Sequence, residues 1–139
     1  MTDSNASVIR GFYEALDRGD VPAIVDLLDS KVEWRTPVSL PYGGTFHGHD
    51  GFRDFLRKLM TQPLEFRREL REYLDAGERV IVLLRFFARP KGRETEFEVP
   101  EVHIWTVRRG KIASLEAYPD TAMVLRALQA GDVPVAEHG

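Results

Sequence analysis

The sequence predicts an α+β fold, with helices gathered on one side of a curved antiparallel sheet. Three observations predict it. Apolar residues recur at helical spacing in the first sixty positions, at Val8, Ile9, Phe12 and Leu16 and again at Phe52, Phe55, Leu56, Leu59 and Met60. Three extended segments fill the second half, at 80–87, 97–107 and 112–118. Helices and strands therefore come in separate runs rather than in alternation, the α+β pattern.

Gly19-Asp20 ends the first helix, and Pro22 opens a short second one carrying Ile24, Leu27 and Leu28. Val32 to Thr36 reads as a short strand stopped by Pro37. Residues 37–48 hold two prolines and three glycines and read as a loop. Asp50 is placed to cap a third helix whose Phe52, Phe55, Leu56, Leu59 and Met60 point inward. Residues 65–74 fit helical spacing at Phe66, Leu70, Tyr73 and Leu74, yet Gly77-Glu78 and a clear strand follow them. Periodicity leaves helix and strand both open there. The strand 80–87 is apolar on both faces, so both need cover, helices on one and a second subunit on the other. A closing helix runs from Thr121 to about Gln129 with Asp120 as its cap, and the tail after Gly131 is expected to be loose.

The most informative segment is Phe97 to Val107, turned by Arg108-Arg109-Gly110-Lys111 into Ile112 to Tyr118, a β-hairpin. Side chains alternate along a strand, so Val99, Glu101, His103, Trp105 and Val107 share one face. An acid and an imidazole among apolar neighbours mark that face as the wall of a site. Composition narrows the function classes. At 139 residues the chain reads as one domain over 1–139, with 43% hydrophobic and 29% charged residues, ordinary for a soluble protein. A net charge of −3 and the lack of a Lys/Arg run argue against nucleic acid as partner. There is no cysteine, which removes thiolate catalysis and thiolate metal sites. No apolar run is long enough to span a membrane and the polar start does not read as a signal peptide, so a cytoplasmic protein is expected.

Four pieces of the chain resemble the nuclear transport factor 2-like superfamily, in its SnoaL-like and ketosteroid-isomerase-like branches. They are Val8 to Asp20 (VIRGFYEALDRGD), Val32-Glu33-Trp34, Gly48 to Phe55 (GHDGFRDF), and Gly110-Lys111-Ile112 through Tyr118-Pro119-Asp120-Thr121-Ala122. The resemblance implies a cone-shaped domain in which sheet and helices enclose one apolar pocket. It also implies that residues 65–74 are a strand and that the protein forms a homodimer through its sheet face. The family's catalytic positions are not kept. Where ketosteroid isomerases carry an oxyanion-hole tyrosine this chain has Phe12, with Tyr13 one step round the helix. Their base aspartate falls at Trp34 and their second oxyanion donor at His103. Limonene-epoxide hydrolases share an arginine at Arg85, but their two aspartates fall at Phe87 and Ala117. SnoaL-type cyclases lose their acid near Ala117 as well.

Strand parity, taken alone, sets Leu83, Arg85 and Phe87 inward beside Glu101, His103 and Trp105, with Ala113, Leu115 and Ala117 completing the wall. Imidazole exchanges its proton near neutral pH, which makes His103 the first candidate acid or base. Glu101, about 7 Å along the strand, orients it or acts as base itself. Arg85 stabilises developing negative charge or, alternatively, neutralises Glu101. Trp34 and Tyr42 are placed to stack on a planar substrate, and Phe12, Tyr13, Phe55 and Leu59 to form pocket wall. His47, His49 and Asp50 are too close in sequence to converge on one ion, so no metal is expected, and no cofactor. Arg67-Arg68 and Arg108-Arg109 read as solvated surface. The reading is a protein that binds a small, largely apolar carbonyl-bearing compound and isomerises, cyclises or dehydrates it by proton transfer. The alternative is a binding or dimerisation domain without turnover.

Overall fold

Ser4 starts the first helix by accepting a hydrogen bond from the Ser7 N–H at 3.1 Å. Gly19 ends it at φ 68°, a conformation that costs a residue without a Cβ little. In the computed structural model, which describes residues 4–132, this is α1 (Asn5–Arg18). Asp20 caps α2 (Val21–Leu27), its carboxylate accepting from the Ala23 N–H at 3.1 Å. Then follow β1 (Leu28–Thr36), β2 (Gly44–His47), α3 (Gly48–Met60), β3 (Leu64–Ala76), β4 (Arg79–Pro90), β5 (Phe97–Arg108), β6 (Lys111–Pro119) and α4 (Thr121–Asp132).

The six strands form one curved, unclosed sheet in the order β2-β1-β6-β5-β4-β3. Every neighbouring pair is antiparallel except β1 with β6, which runs parallel. The β5–β6 hairpin turns on two residues of positive φ, Arg109 at 53° and Gly110 at 75°. That geometry matches the right-handed twist of the flanking strands. The helices cover the concave face, where Ile9, Phe12, Ile24, Phe52 and Phe55 pack against Val80, Val82, Leu84, Trp105 and Ile112.

Three local expectations change, and one open reading is decided. Residues 44–47 are a strand, not loop, paired with β1 from Glu33↔His47 to Thr36↔Gly44. Helix α3 starts at Gly48 with His47 at its N-cap, so Asp50 lies in the first turn; there its exposed charge favours the helix dipole and pairs with Arg53. Met60 is exposed rather than inward. Residues 65–74, left open by periodicity, are strand as the family resemblance implies, since backbone pairing with β4 overrides a helical propensity of a few tenths of a kcal/mol per residue. Asp120 caps α4 as expected, accepting from the Met123 N–H at 3.2 Å. Residues 133–139, most of the tail expected to be loose, lie outside the described residues.

Candidate functional site

Register across the sheet decides which side chains meet. Val82, His103 and Ala117 stand side by side on β4, β5 and β6, and Leu84, Glu101 and Pro119 form the next row. One row the other way, Trp105 lies beside Leu115 and Leu115 beside Trp34 of β1. All of these face the helices. Partners directly opposite in an antiparallel pair share a face, so even-numbered residues of β4 accompany the odd-numbered acid and imidazole of β5.

This corrects the placement of three residues. Leu83, Arg85 and Phe87 lie on the outer face of the sheet, away from His103. Arg85 is 39% exposed and pairs with Glu98 at 3.4 Å, while the Arg67 guanidinium sits 3.9 Å over the Phe87 ring. A strand apolar on both faces gives no sequence signal for which parity is inward. Ala113 also leaves the wall, because a bulge between Ile112 and Ser114 shifts the alternation in β6.

The polar groups that remain inside form one hydrogen-bonded chain. The Trp105 indole N–H donates to the Tyr13 hydroxyl oxygen at 3.1 Å. That hydroxyl lies 2.5 Å from His103 Nδ1, and His103 Nε2 bonds the Glu101 carboxylate. A carboxylate can only accept, so His103 Nε2 donates to Glu101, the bare Nδ1 accepts the Tyr13 O–H, and the Tyr13 oxygen accepts from the indole. The network thus assigns the remaining imidazole proton to Nε2, aimed at Glu101. Burial pushes the Tyr13 hydroxyl well above the usual tyrosine range, which keeps it a donor. The His103 and Glu101 side chains are only 11% and 13% exposed, and what they face is a cavity.

That cavity measures about 90 Å³. It is smaller than the roughly 150 Å³ that takes up a benzene ring, so a ligand larger than one small ring also fills the mouth. Phe12, Tyr13, Trp34, Tyr42, Phe55, Leu59, Glu101, His103, Trp105, Leu115 and Ala117 all line it. Tyr42 arrives on a tightly wound loop, where a Cβ on Gly43 would lie 1.7 Å from the Pro37 carbonyl oxygen. The Trp34 indole nitrogen is buried without a hydrogen-bond partner, a state that costs about 1–3 kcal/mol.

Arg68, read from the sequence as solvated surface, lines the cavity instead, and sequence reasoning missed Phe86 and Leu40, which line it too. Arg68 supplies the inward cation, held 2.5 Å from Asp17. Its signal was parity with Leu64 and Phe66, readable only once β3 is known to be a strand. Among the described residues no group of three His, Cys, Asp or Glu side chains could hold a metal ion. His49 instead donates to the Leu28 carbonyl at 2.9 Å.

The two buried tyrosines make stability fall in alkali. Burial first, then the nearby Glu101 charge, raises the Tyr42 hydroxyl above its ordinary value of 10.0. Above that value the unfolded chain gives up a proton that the fold retains, so native stability is full below pH 10 and declines as pH rises further. The slope reaches about 1.4 kcal/mol per pH unit for each such tyrosine. Urea unfolding at pH 8, 10 and 11 should show the decline, and Tyr42→Phe should flatten part of it. An unchanged slope in that variant would contradict the assignment.

The SnoaL-like domain family matches residues 9–115. No curated protein matches the chain significantly. Among solved structures, an NTF2-like protein of unknown function from Burkholderia pseudomallei K96243 is 31% identical, covering 91% of this chain and 98% of that one at a TM-score of 0.83. An NTF2-like protein from Burkholderia thailandensis E264 is 28% identical, covering 92% and 99% at 0.83. TerC, co-crystallized with polyporic acid, is 29% identical, covering 90% and 98% at 0.82.

Proposed function

The chain belongs to the SnoaL-like domain family of the nuclear transport factor 2-like superfamily, and from that premise we propose that it binds a small, largely apolar, carbonyl-bearing compound and moves a proton on it without a cofactor. The fold fits small-molecule binding or isomerase-type function. One observation carries the finer reading: a carboxylate backed by a fixed imidazole projects into a cavity whose other walls are mostly aromatic and aliphatic. Apolar walls exclude water and a few polar groups orient the ligand, the usual build of a small-molecule site. TerC, a relative at 29% identity, is co-crystallized with polyporic acid, which supports an organic ligand here.

Glu101 takes the proton from the carbon next to the carbonyl. The electron pair of that C–H bond moves into the new C=C bond and onto the carbonyl oxygen, giving an enolate. Return of the proton at another carbon isomerises the substrate; expulsion of a β-hydroxyl, which takes that proton back from Glu101 and leaves as water, instead dehydrates it. His103 holds the carboxylate in place through Nε2, and Tyr13 holds His103. Arg85 has no part in this scheme because it lies on the outer face.

The test is proton exchange in D2O with a panel of cyclic ketones, followed by proton NMR. Catalysed loss of the α-proton signal is expected for at least one ketone. Binding without exchange for every ketone that binds assigns the pocket to ligand binding alone and overturns the catalytic reading.

The reading includes a homodimer through the outer sheet face. There Leu74 and Tyr118 are exposed beside half-buried Ile81, Leu83, Phe87, Val102 and Ile104. Basic Arg67 and Arg85 stand among acidic Glu69 and Glu98, so the patch can meet its own copy. Sedimentation equilibrium at micromolar concentration should give twice the 15.9 kDa chain mass; a monomer would remove this part.

A further inference from the structure

Among the described residues, Trp34 is the one with a fully buried side-chain polar atom that lacks a hydrogen-bond partner. Its indole N–H is buried and lacks a hydrogen-bond partner, although the ring itself is 97% shielded from solvent (3% exposed) and lines the pocket. Its ring neighbours are Phe52 at 4.9 Å, Trp105 at 5.6 Å, Phe12 at 5.7 Å and Phe55 at 5.8 Å between centroids. Phe12, Phe52 and Phe55 carry no side-chain acceptor, and Trp105 can only donate. A phenylalanine would fill such a cage without stranding a donor.

A second donor converges from the loop. The Tyr42 ring lies 6.3 Å from Phe55, on which Trp34 also packs. Its hydroxyl has no hydrogen-bond partner among the described residues, and the ring is nearly buried at the cavity. Glu101, an acceptor, lines the same cavity. Trp34 and Tyr42 thus bring donors from β1 and the loop, Arg68 brings one from β3, and Glu101 supplies the base on β5.

We propose that Trp34 Nε1–H, seconded by the Tyr42 hydroxyl, is the donor that grips the ligand's carbonyl oxygen, so that Trp34 selects oxygenated ring compounds over hydrocarbons of the same shape. The proposal rests on the small-molecule reading of this pocket and names its specificity residue. The same donor is placed to hold the oxygen as it gains charge in the enolate, with Glu101 approaching the neighbouring carbon. It requires no cation within the cavity.

The test uses 1-indanone and indane, bicyclic compounds that differ by one carbonyl oxygen. The chain has two tryptophans, so its proton–nitrogen NMR spectrum carries two indole signals. Trp34→Phe identifies the Trp34 signal by removing it; a nuclear Overhauser contact from the Trp105 N–H to the Tyr13 ring identifies the other one should that variant fail to fold. In the wild-type protein, 1-indanone should move the Trp34 proton downfield while indane does not. The ratio of 1-indanone to indane affinity should fall about fivefold in Trp34→Phe, the size of one neutral hydrogen bond.

Two results would overturn the proposal while leaving the pocket reading intact. In one, both compounds shift pocket signals but the Trp34 proton moves alike for each. In the other, the affinity ratio survives Trp34→Phe. Either would mean that the N–H is spent on the face of a neighbouring ring such as Phe52. If neither compound perturbs any residue of the cavity, the proposal and the small-molecule reading fall together.

Discussion

Replacing Glu101 with glutamine should slow ketone proton exchange by about 10²- to 10⁴-fold, the usual contribution of a positioned general base. The substitution is chosen to remove the chemistry and keep the geometry. Glutamine has the size of glutamate, and its carbonyl oxygen can still accept the proton that His103 presents through Nε2. The hydrogen-bonded chain from Trp105 through Tyr13 to His103 then stays assembled, and ketone affinity should change by less than about threefold. A fall in kcat with affinity held is the signature of an interaction that acts in the transition state. Because the carboxylate and imidazole form one bonded unit, adding His103→Gln to Glu101→Gln should slow exchange little beyond the worse single variant. Exchange at the wild-type rate in Glu101→Gln would place the base elsewhere.

The sequence carried the architecture further than it carried the wall of the site. Helical spacing in the first sixty residues and the Phe97–Tyr118 hairpin are strong local signals, and both elements stand where those signals put them. Parity along β5 was legible because its two faces differ in kind: Val99, Glu101, His103, Trp105 and Val107 against Val102, Ile104 and Thr106. In β4 they do not differ. Leu83 and Leu84, Phe86 and Phe87 look alike one step apart, so only pairing with β5 shows that Leu84 and Phe86 point in and Arg85 points out. The cavity's cation was hidden for a related reason. Arg68 belongs to a segment whose composition favours helix, and its inward aim depends on long-range pairing with Phe86. Bulges remove the remaining regularity, in β1 between Leu28 and Glu33, in β3 between Leu70 and Glu72, and in β6 beside Ala113. The contact between Tyr13 and His103, ninety residues apart, has no sequence signature at all.

Trp105→Ala should cost about 3–5 kcal/mol of stability, the range for emptying a buried aromatic site. Trp105 is the largest of the fully buried side chains and lies among the rings of Phe12 (4.7 Å), Trp34 (5.6 Å), Tyr13 (5.8 Å) and His103 (5.9 Å). Those neighbours come from α1, β1 and β5, so no single element can relax to fill the space. Against a total of about 5–15 kcal/mol for a domain, the loss would take a large share, read as a lower urea midpoint at unchanged slope. A loss under 1 kcal/mol would mean that the aromatic cluster adds little. Trp105→Phe separates packing from hydrogen bonding at the same position. It keeps most of the ring and removes the N–H that the Tyr13 oxygen accepts. Nitrogen NMR of His103 should then still show the proton on Nε2, since the Glu101 carboxylate can only accept there. If the proton moves to Nδ1 in Trp105→Phe, the indole rather than the Glu101 carboxylate fixes the tautomer.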